Sequence, residues 1–377
     1  MYTRLLEHTL RNAFSTGKIL FILGPRQVGK TTLATSLISG ISPDRVIRFD
    51  GDYSDDRSLL QFSSRESMER SLASYTHILI DEGQKIPNIG NTLKMMIDAY
   101  KDTKNIIVTG SSSLHLLDMT SEPLTGRKRV YELFPLSWRE VVDRDWIITA
   151  QKRLEEFLIY GMYPEVLSYP SNDEKIAHLR EIVSGQLYRD ILEFQEVRNA
   201  DAITKLLELL ADRIGKEVSY SELGKLLGMS QITVERYIDL LEKSFVIFRL
   251  RPYFTNKTKE VTKMKKIYFY DLGIRNMILR RFWSVDTRSD IGDLFENFFI
   301  LERKKQLSYD ASLCEQRFWR TQTQQEVDLI EVDHTLARAY EVKWSVQQYT
   351  PPTEWKRLYP SVFPTLIYRG NFWEYLE

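Results

Sequence analysis

The sequence predicts an α/β fold in the first part of the chain, built on a parallel sheet with helices on both faces. The glycine-rich loop Gly24–Thr31 lies between an apolar run of strand type and the start of a helix. A second apolar run ends in two carboxylates, Asp81 and Glu82. Further apolar runs alternate with helical patterns, which is typical of doubly wound sheets that bind ligands at the carboxyl ends of their strands.

The loop fits G-x-x-x-x-G-K-[ST], the phosphate-binding pattern of P-loop nucleotidases. Gly24 and Gly29 allow the backbone to curl so that its N–H groups face an anion. Lys30 is predicted to reach the β- and γ-phosphates of ATP, and the Thr31 hydroxyl to bind Mg²⁺. The other predicted nucleotide contacts are Pro25, Arg26, Gln27, Val28, Thr32 and Ser111. The alternative is a glycine turn that happens to carry Lys and Thr.

The two carboxylates after the second apolar run have the form of a Walker B element. Asp81 is predicted to hold Mg²⁺ through water, and Glu82 to orient and deprotonate the attacking water. An acidic turn that caps a buried strand is the alternative. A later strand ends in small polar residues, of which Thr109 or Ser111 is predicted to sense the γ-phosphate; a hydroxyl-rich loop capping the next helix fits equally well.

A basic cluster before the fifth predicted strand contains Arg127. Exposed arginines at such a position can act as an arginine finger in a neighbouring subunit. A homo-oligomer would then be required, and whether Arg127 acts in cis or in trans stays open. A plain solvated turn is the alternative.

Composition fits a soluble globular protein of two or three domains, with 43% hydrophobic and 28% charged residues in 377. No apolar run is long enough for a membrane span, and the charges near the N-terminus do not fit a signal peptide, so a cytoplasmic protein without a membrane partner is expected. A single cysteine, Cys314, excludes an internal disulfide framework. Because the net charge is zero, any contact with nucleic acid must come from local charge.

The order of the motifs resembles the AAA_14 group of AAA-type bacterial and archaeal ATPases, over essentially the whole chain. The segments that carry the resemblance are Gly24–Thr31, Asp81–Lys85, Thr109–Ser113, Leu124–Arg127 and Leu133–Glu140. In that group the ATPase domain is followed by a domain of unknown function, DUF4143. The resemblance implies an AAA-type ATPase that uses ATP and Mg²⁺. The group usually has isoleucine where this chain has Gly83, which leaves the two carboxylates in place.

From residue 201 the pattern predicts three helices and two strands, which together read as a winged helix. The second and third helices, Ser219–Gly228 and Gln231–Lys243, are spaced as a helix-turn-helix. Residues 249–281 contain ten Lys or Arg and two acids. The lysines at the predicted wing tip are Lys257, Lys259, Lys263, Lys265 and Lys266. A charged wing predicts contact with double-stranded DNA, and a solvated hairpin in a protein–protein module is the alternative.

A second candidate site lies near the C-terminus. Glu341 and Lys343 are two apart on a predicted strand and therefore share a face. With Asp328 on another strand, they gather two metal-binding carboxylates and a cation that could assist a water nucleophile. This resembles the PD-(D/E)xK restriction-endonuclease-like fold, and Glu296 matches that family's helix carboxylate. The resemblance implies a metal held by Glu296, Asp328 and Glu341, with Asp328, Glu341 and Lys343 catalytic; a surface ion pair is the alternative.

The predicted domains are an ATPase domain (1–145), a helical segment (146–200), a winged helix (201–270) and a nuclease-like α/β domain (271–377). The first functional hypothesis is a Mg²⁺-dependent ATPase coupled to a DNA-binding winged helix and a nuclease-like domain. The second is a slow ATP-gated switch or scaffold that binds protein partners and whose nuclease-like domain is inactive. An ATP-dependent nuclease of a defence or mobile-element system is the third.

Overall fold

A computed structural model describes residues 2–14, 17–101, 103–111, 124–187, 200–253, 265–333, 335–346 and 348–376. Several predicted features lie outside these ranges, namely Ser112, Ser113 and the wing lysines Lys257, Lys259 and Lys263. The chain divides into two compact units, residues 1–135 with 243–245, and residues 136–242 with 246–377. The domain boundaries expected from the sequence at 145, 200 and 270 stay predictions.

The described part of the first unit contains a five-stranded sheet with the strand order β2-β3-β4-β1-β5. The strands are β1 (Ile19–Leu23), β2 (Val46–Asp50), β3 (His77–Asp81), β4 (Asn105–Gly110) and β5 (Lys128–Glu132). All neighbouring strands pair in parallel. The predicted α/β fold class is thereby confirmed for this unit.

Helices flank this sheet. They are α1 (Leu6–Ala13), α2 (Lys30–Leu37), α3 (Ser54–Leu59), α4 (Arg65–Leu72) and α5 (Ile89–Tyr100). Every residue of β1 is buried, which explains its continuous apolar sequence, since parallel strands are normally covered on both faces. Leu23 pairs with Gly110, and Ile80 with Val108. The carboxyl ends of β1, β3 and β4 therefore meet at one edge of the sheet, where a parallel α/β sheet binds its ligand.

The described part of the second unit contains a seven-stranded sheet with the order β12-β11-β10-β9-β7-β8-β6. The strands are β6 (Glu217–Val218), β7 (Ile247–Pro252), β8 (Lys265–Phe269), β9 (Glu315–Arg320), β10 (Glu326–Asp333), β11 (Thr335–Val342) and β12 (Thr365–Ile367). The strands expected for the winged helix, β7 and β8, share this sheet with the strands expected for the nuclease-like domain. The two groups of strands are connected by the parallel pairing of β7 with β9, in which Arg251 lies opposite Arg317.

Ten α-helices of the second unit lie within the described ranges. They are α6 (Trp138–Asp145), α7 (Ile147–Lys152), α8 (Leu154–Tyr160), α9 (Asn172–Glu181), α10 (Ala200–Asp212), α11 (Tyr220–Leu227), α12 (Gln231–Lys243), α13 (Leu272–Leu279), α14 (Ile291–Tyr309) and α15 (Thr353–Leu358). In the described residues no helix combines the length and the hydropathy needed to cross a bilayer.

Candidate functional site

The glycine-rich loop follows β1 directly and leads into α2. A Cβ atom at Gly24 would overlap the carbonyl oxygen of Leu133. Gly29 has a φ of +94° as the residue before α2, a left-handed conformation that favours glycine. Both glycines are therefore needed for the loop to take this path, one for space and one for backbone conformation.

The Lys30 side chain lies across this loop and is buried, with 5% of its surface exposed. Its ammonium donates hydrogen bonds to the carbonyl oxygens of Gly24 (3.0 Å) and Pro25 (2.8 Å). Such contacts satisfy a buried cation and leave it where phosphate oxygens could replace the carbonyls. Of the other predicted contacts, Pro25 and Val28 are buried, Arg26 is half-buried, and Gln27 and Thr32 are exposed.

Arg4 supports the loop and was not predicted. Its guanidinium donates hydrogen bonds of 2.6 Å to the carbonyl oxygens of Val28 and Phe134. The side chain is buried with 9% exposure, and it connects the glycine-rich loop to the chain that follows β5. No local motif marks this arginine, because its partners are 24 and 130 residues away.

Replacing Arg4 with methionine is expected to weaken ATP binding, because the loop then loses the hydrogen bond at Val28 and its connection to Phe134. Each hydrogen bond to a charged group has a net value of about 1.5–3 kcal/mol. Arg11→Met, on helix α1 that follows Arg4, is the matched control, since Arg11 bonds Glu7 and the end of α2 instead. Titration with a fluorescent ATP analogue gives both affinities. Equal affinities in the two variants would contradict a specific role for Arg4.

Asp81 accepts hydrogen bonds from two hydroxyl groups at the carboxyl edge of the sheet. Thr31 Oγ1 donates to Asp81 Oδ2 at 2.6 Å, and Thr109 Oγ1 donates to Asp81 Oδ1. A threonine hydroxyl and a carboxylate are the hard oxygen ligands that Mg²⁺ takes beside substrate phosphates. Thr31 and Asp81 are also accessible, being exposed and half-buried. These residues therefore fit a magnesium ion.

The Glu82 carboxylate is oriented by separate partners. Ser111 Oγ donates to Glu82 Oε2 at 2.9 Å, and the Gln84 amide donates both to that oxygen and to Ser111 Oγ. The Glu82 backbone has a φ of +46°, an uncommon conformation for a non-glycine residue that is often found at functional sites. Its N–H group donates to Thr109 Oγ1 at 3.2 Å. Of the two residues predicted as alternative sensors, Thr109 thus donates to the Asp81 carboxylate and Ser111 to the Glu82 carboxylate. The contact of Gln84 was not predicted.

Arg127 lies at the opposite edge of the sheet from the glycine-rich loop. Its carbonyl accepts a hydrogen bond from Ile19 N–H at the start of β1, and its guanidinium pairs with Asp98 at 2.9 Å. A five-residue strand is roughly 16 Å long, so Arg127 does not reach the loop of its own chain. Action of Arg127 on a neighbouring subunit stays a prediction.

The second predicted site gathers its residues within the second unit. Lys343 Nζ lies 2.7 Å from Glu341 Oε1 and 3.7 Å from Asp328 Oδ2. Asp328 Oδ2 also accepts a hydrogen bond of 2.9 Å from Val342 N–H. Glu296 on α14 is held by the Tyr268 hydroxyl, which donates to its Oε1 at 2.6 Å.

Lys266 on β8 completes this cluster, although it was predicted to contact DNA. Its ammonium lies 3.1 Å from Glu296 Oε1 and 3.9 Å from Asp328 Oδ1, and it pairs with Glu326. The residue is 2% exposed, so the prediction that Lys266 contacts a DNA phosphate is wrong. A count of positive charges does not reveal which face of a strand each side chain occupies.

Burial dominates the proton affinities of the cluster. It raises the pKa of Glu296 to about 7, and burial together with Asp328 raises the pKa of Glu341 to about 7. Burial alone would lower the pKa of Lys266, but the carboxylates around it, led by Glu296, raise it well above the usual lysine value. Lys266 therefore carries a full positive charge.

The predicted metal ligands Glu296, Asp328 and Glu341 do not fit a divalent cation in this arrangement. Among the residues described, no three or more His, Cys, Asp or Glu side chains form a group that could hold a metal ion. In addition, the Lys266 ammonium lies within 4 Å of Glu296, Glu326 and Asp328, so a positive charge already faces these carboxylates. The arrangement does not favour the predicted metal, which stays a prediction.

The comparisons with known families cover three parts of the chain. Residues 16–142 match the AAA domain AAA_14, and residues 291–360 match DUF4143, a domain of unknown function. The chain combines an AAA_14 domain with a C-terminal DUF4143 domain. Residues 151–284, between these two domains, match a further domain of unknown function, DUF8612. The resemblance found from the motifs is confirmed, and the P-loop, Asp81 and Glu82 all belong to the AAA_14 domain.

Two relatives match most of this chain by sequence and are themselves longer. An uncharacterized protein of Mycobacterium tuberculosis is 29% identical over 330 residues, which are 85% of this chain and 69% of that protein. An uncharacterized protein of Methanocaldococcus jannaschii is 26% identical over 308 residues, 76% of this chain and 67% of that protein.

Two solved structures are similar at low TM-scores. A signal transduction ATPase with numerous domains and a tetratricopeptide repeat sensor, from Pyrococcus horikoshii, has a TM-score of 0.30 and 12% identity, over 81% of this chain and 45% of that chain. The chain thus spans less than half of the Pyrococcus protein. PCH-2 of C. elegans has a TM-score of 0.27 and 15% identity, over 63% of this chain and 70% of that chain.

Proposed function

We propose that the AAA_14 domain binds ATP with Mg²⁺ and hydrolyses it, with Glu82 as the general base. The observation that carries this proposal is the separate support of the two acids at one sheet edge. Asp81 contacts the Thr31 hydroxyl beside the loop, whereas the Glu82 carboxylate is held by Ser111. One acid is thereby available to a metal and the other to a water molecule.

The chemistry follows from these positions. The Lys30 ammonium exchanges its loop carbonyls for β- and γ-phosphate oxygens. Thr31 and Asp81 would hold Mg²⁺, which supplies charge neutralisation to the phosphates when bound. Glu82 orients a water molecule and accepts its proton as the water oxygen bonds to the γ-phosphorus. The bond between that phosphorus and the bridging oxygen breaks, which leaves ADP and inorganic phosphate.

Replacing Asp81 with asparagine tests this assignment. Phosphate release from ATP is expected to fall on the order of a hundredfold, as is usual when the support of a catalytic metal is weakened, and more Mg²⁺ should be needed for half-maximal rate. Asp55→Asn, on the exposed helix α3, is the control and should match the wild type. An unchanged rate and Mg²⁺ requirement in Asp81→Asn would remove Asp81 from the metal site.

We propose that the second unit is a binding module without nuclease activity, so that the whole protein is an ATP-gated switch. Two observations support this over DNA cleavage. The carboxylates expected to bind metal are engaged by lysine ammonium groups, and the exposed face of α12 carries Glu235 as well as Arg236. Arg249, counted among the basic residues, pairs with Asp239 at 2.6 Å and also with Glu242.

DNA binding by the helix-turn-helix is a second candidate, favoured by the exposed Arg251 and by the excess of basic residues over 249–281. Reversing the charges of Lys257, Lys259 and Lys263 to glutamate together is then expected to weaken binding of a DNA duplex. The salt slope should fall by about one for each phosphate that the protein no longer neutralises. Lys356→Glu, an exposed site on α15, is the control. If the affinity for the DNA duplex and its salt dependence are unaltered, the lysines do not contact DNA, and a protein is the expected partner.

A further inference from the structure

Four carboxylates converge in the described part of the second unit: Glu296, Glu326, Asp328 and Glu341. In a metal-dependent nuclease such a group would hold a divalent cation. Here the positive charges come from the chain itself. Lys343 pairs with Glu341 at 2.7 Å, and Arg320 Nη1 lies 3.3 Å from Glu326 Oε2.

Lys266 is more deeply buried than Lys343. The Lys343 side chain is 38% exposed and can rotate into solvent, whereas the Lys266 side chain is 3% exposed. The Lys266 ammonium lies 5.6 Å from the centre of the Phe318 ring and pairs with three of the carboxylates. A buried ammonium group is stable only with such partners, so Lys266 and the carboxylates require each other.

The same oxygens cannot serve a divalent ion while Lys266 is present. Mg²⁺ would bind carboxylate oxygens at about 2.0–2.1 Å, in the space that the ammonium and its hydrogen atoms fill, and the two positive charges would repel each other with little solvent screening. The one buried carboxylate oxygen of the four side chains without a hydrogen-bond partner in the described residues is Glu341 Oε2. A single oxygen does not make a cation site.

We propose that the Lys266 ammonium neutralises this carboxylate cluster in place of a divalent metal. The carboxylates of the DUF4143 domain would then be stabilised by lysine and would not support metal-dependent cleavage. The inference deepens the non-catalytic role proposed for the second unit and does not depend on ATP hydrolysis. It predicts that removal of the ammonium creates a metal site among these four carboxylates, which bind no metal while Lys266 is present.

Binding of Mn²⁺ tests the proposal, with the electron paramagnetic resonance signal of the free ion as the measure. The full chain carries Asp81→Asn throughout, so that the carboxylate of the ATPase site does not contribute. With Lys266 present, we expect no Mn²⁺ binding that depends on Asp328. The Lys266→Met variant should bind Mn²⁺ and gain thermal stability from it, and the further change Asp328→Asn should abolish both effects. Lys304→Met, at a half-buried lysine on α14, should gain neither.

Two results would overturn the proposal. One is Mn²⁺ binding to the chain with Lys266 intact that disappears on Asp328→Asn. The other is a folded Lys266→Met variant that gains no Mn²⁺ binding. If Lys266→Met fails to fold even with Mn²⁺, the test rests on Mn²⁺ binding to the chain with Lys266 intact. Mn²⁺ binding there that depends on Asp328 contradicts the proposal, and the absence of such binding supports it. Phosphate release by Lys266→Met with Asp81 restored reports separately on the proposed ATPase function.

Discussion

Replacing Glu82 with glutamine is expected to slow ATP hydrolysis by a factor of about 10²–10⁴, the usual contribution of a general base, while ATP stays bound. Glutamine keeps the shape of the side chain and can still contact Ser111, which lies 2.9 Å from the carboxylate. It cannot accept the proton of the attacking water. The residues that bind the phosphates, including Lys30, are unchanged. Steady-state phosphate release and a separate ATP titration distinguish the two effects.

Glu66→Gln, at an exposed position on α4, is the matched control for the Glu82 variant and should hydrolyse ATP at the wild-type rate. If Glu82→Gln turns over ATP as fast as this control, another group is the base. If it loses ATP affinity instead, the carboxylate is part of the binding site, and the role of its Ser111 contact is to shape the loop.

Replacing Lys305 with methionine is expected to destabilise the second unit by about 3–5 kcal/mol, because removing one partner leaves a buried charge unpaired. Lys305 is 0% exposed and Glu302 is 3% exposed. The ammonium lies 2.6 Å from Glu302 Oε1 and donates to the Leu136 carbonyl at 2.8 Å. Glu302 also accepts a 2.6 Å hydrogen bond from Trp138 N–H at the start of α6. The Lys305–Glu302 pair thus fixes the first residues of the second unit, Leu136 and Trp138.

Tryptophan fluorescence measures this effect for the second unit alone, since all seven tryptophans of the sequence lie between residues 138 and 373. Denaturant unfolding should shift to lower concentration in Lys305→Met and much less in Lys304→Met. Burial already raises the pKa of Glu302, so in the variant the destabilisation should shrink as pH falls and the carboxyl takes up a proton. Glu302→Gln with Lys305→Met should recover part of the stability. An unchanged midpoint in Lys305→Met would contradict the role of the pair.

The arrangement of the proposed nucleotide site could be predicted because its parts are contiguous in sequence or follow from strand order. The loop between β1 and α2 contains the phosphate-binding residues within eight positions, and parallel strands bring Asp81 to the same edge. Similarly, helix α12 begins and ends at the predicted residues, Gln231 and Lys243. In these cases periodicity and local motifs determine the outcome.

The unpredicted features depend on contacts between distant residues. Arg4 supports a loop at Val28 and a second segment at Phe134, which no local pattern indicates. Lys266 belongs to a basic run in sequence, but the sheet that joins β7 to β9 buries it among carboxylates. Arg127 was predicted to be exposed but is half-buried, and the parallel strand β5 separates it from the glycine-rich loop. Composition counts the charged residues, whereas the pairing of the strands determines where in the structure each charged side chain lies.

The nucleotide that the protein retains tests the central claim most directly. The wild-type chain and Glu82→Gln are each incubated with ATP and Mg²⁺ and separated from free nucleotide by gel filtration. The nucleotide that stays bound is then identified by ion-exchange chromatography. If Glu82 is the base for hydrolysis at this loop, the wild type retains ADP and the variant retains ATP. Intact ATP on both proteins, or ADP on both, would contradict that claim.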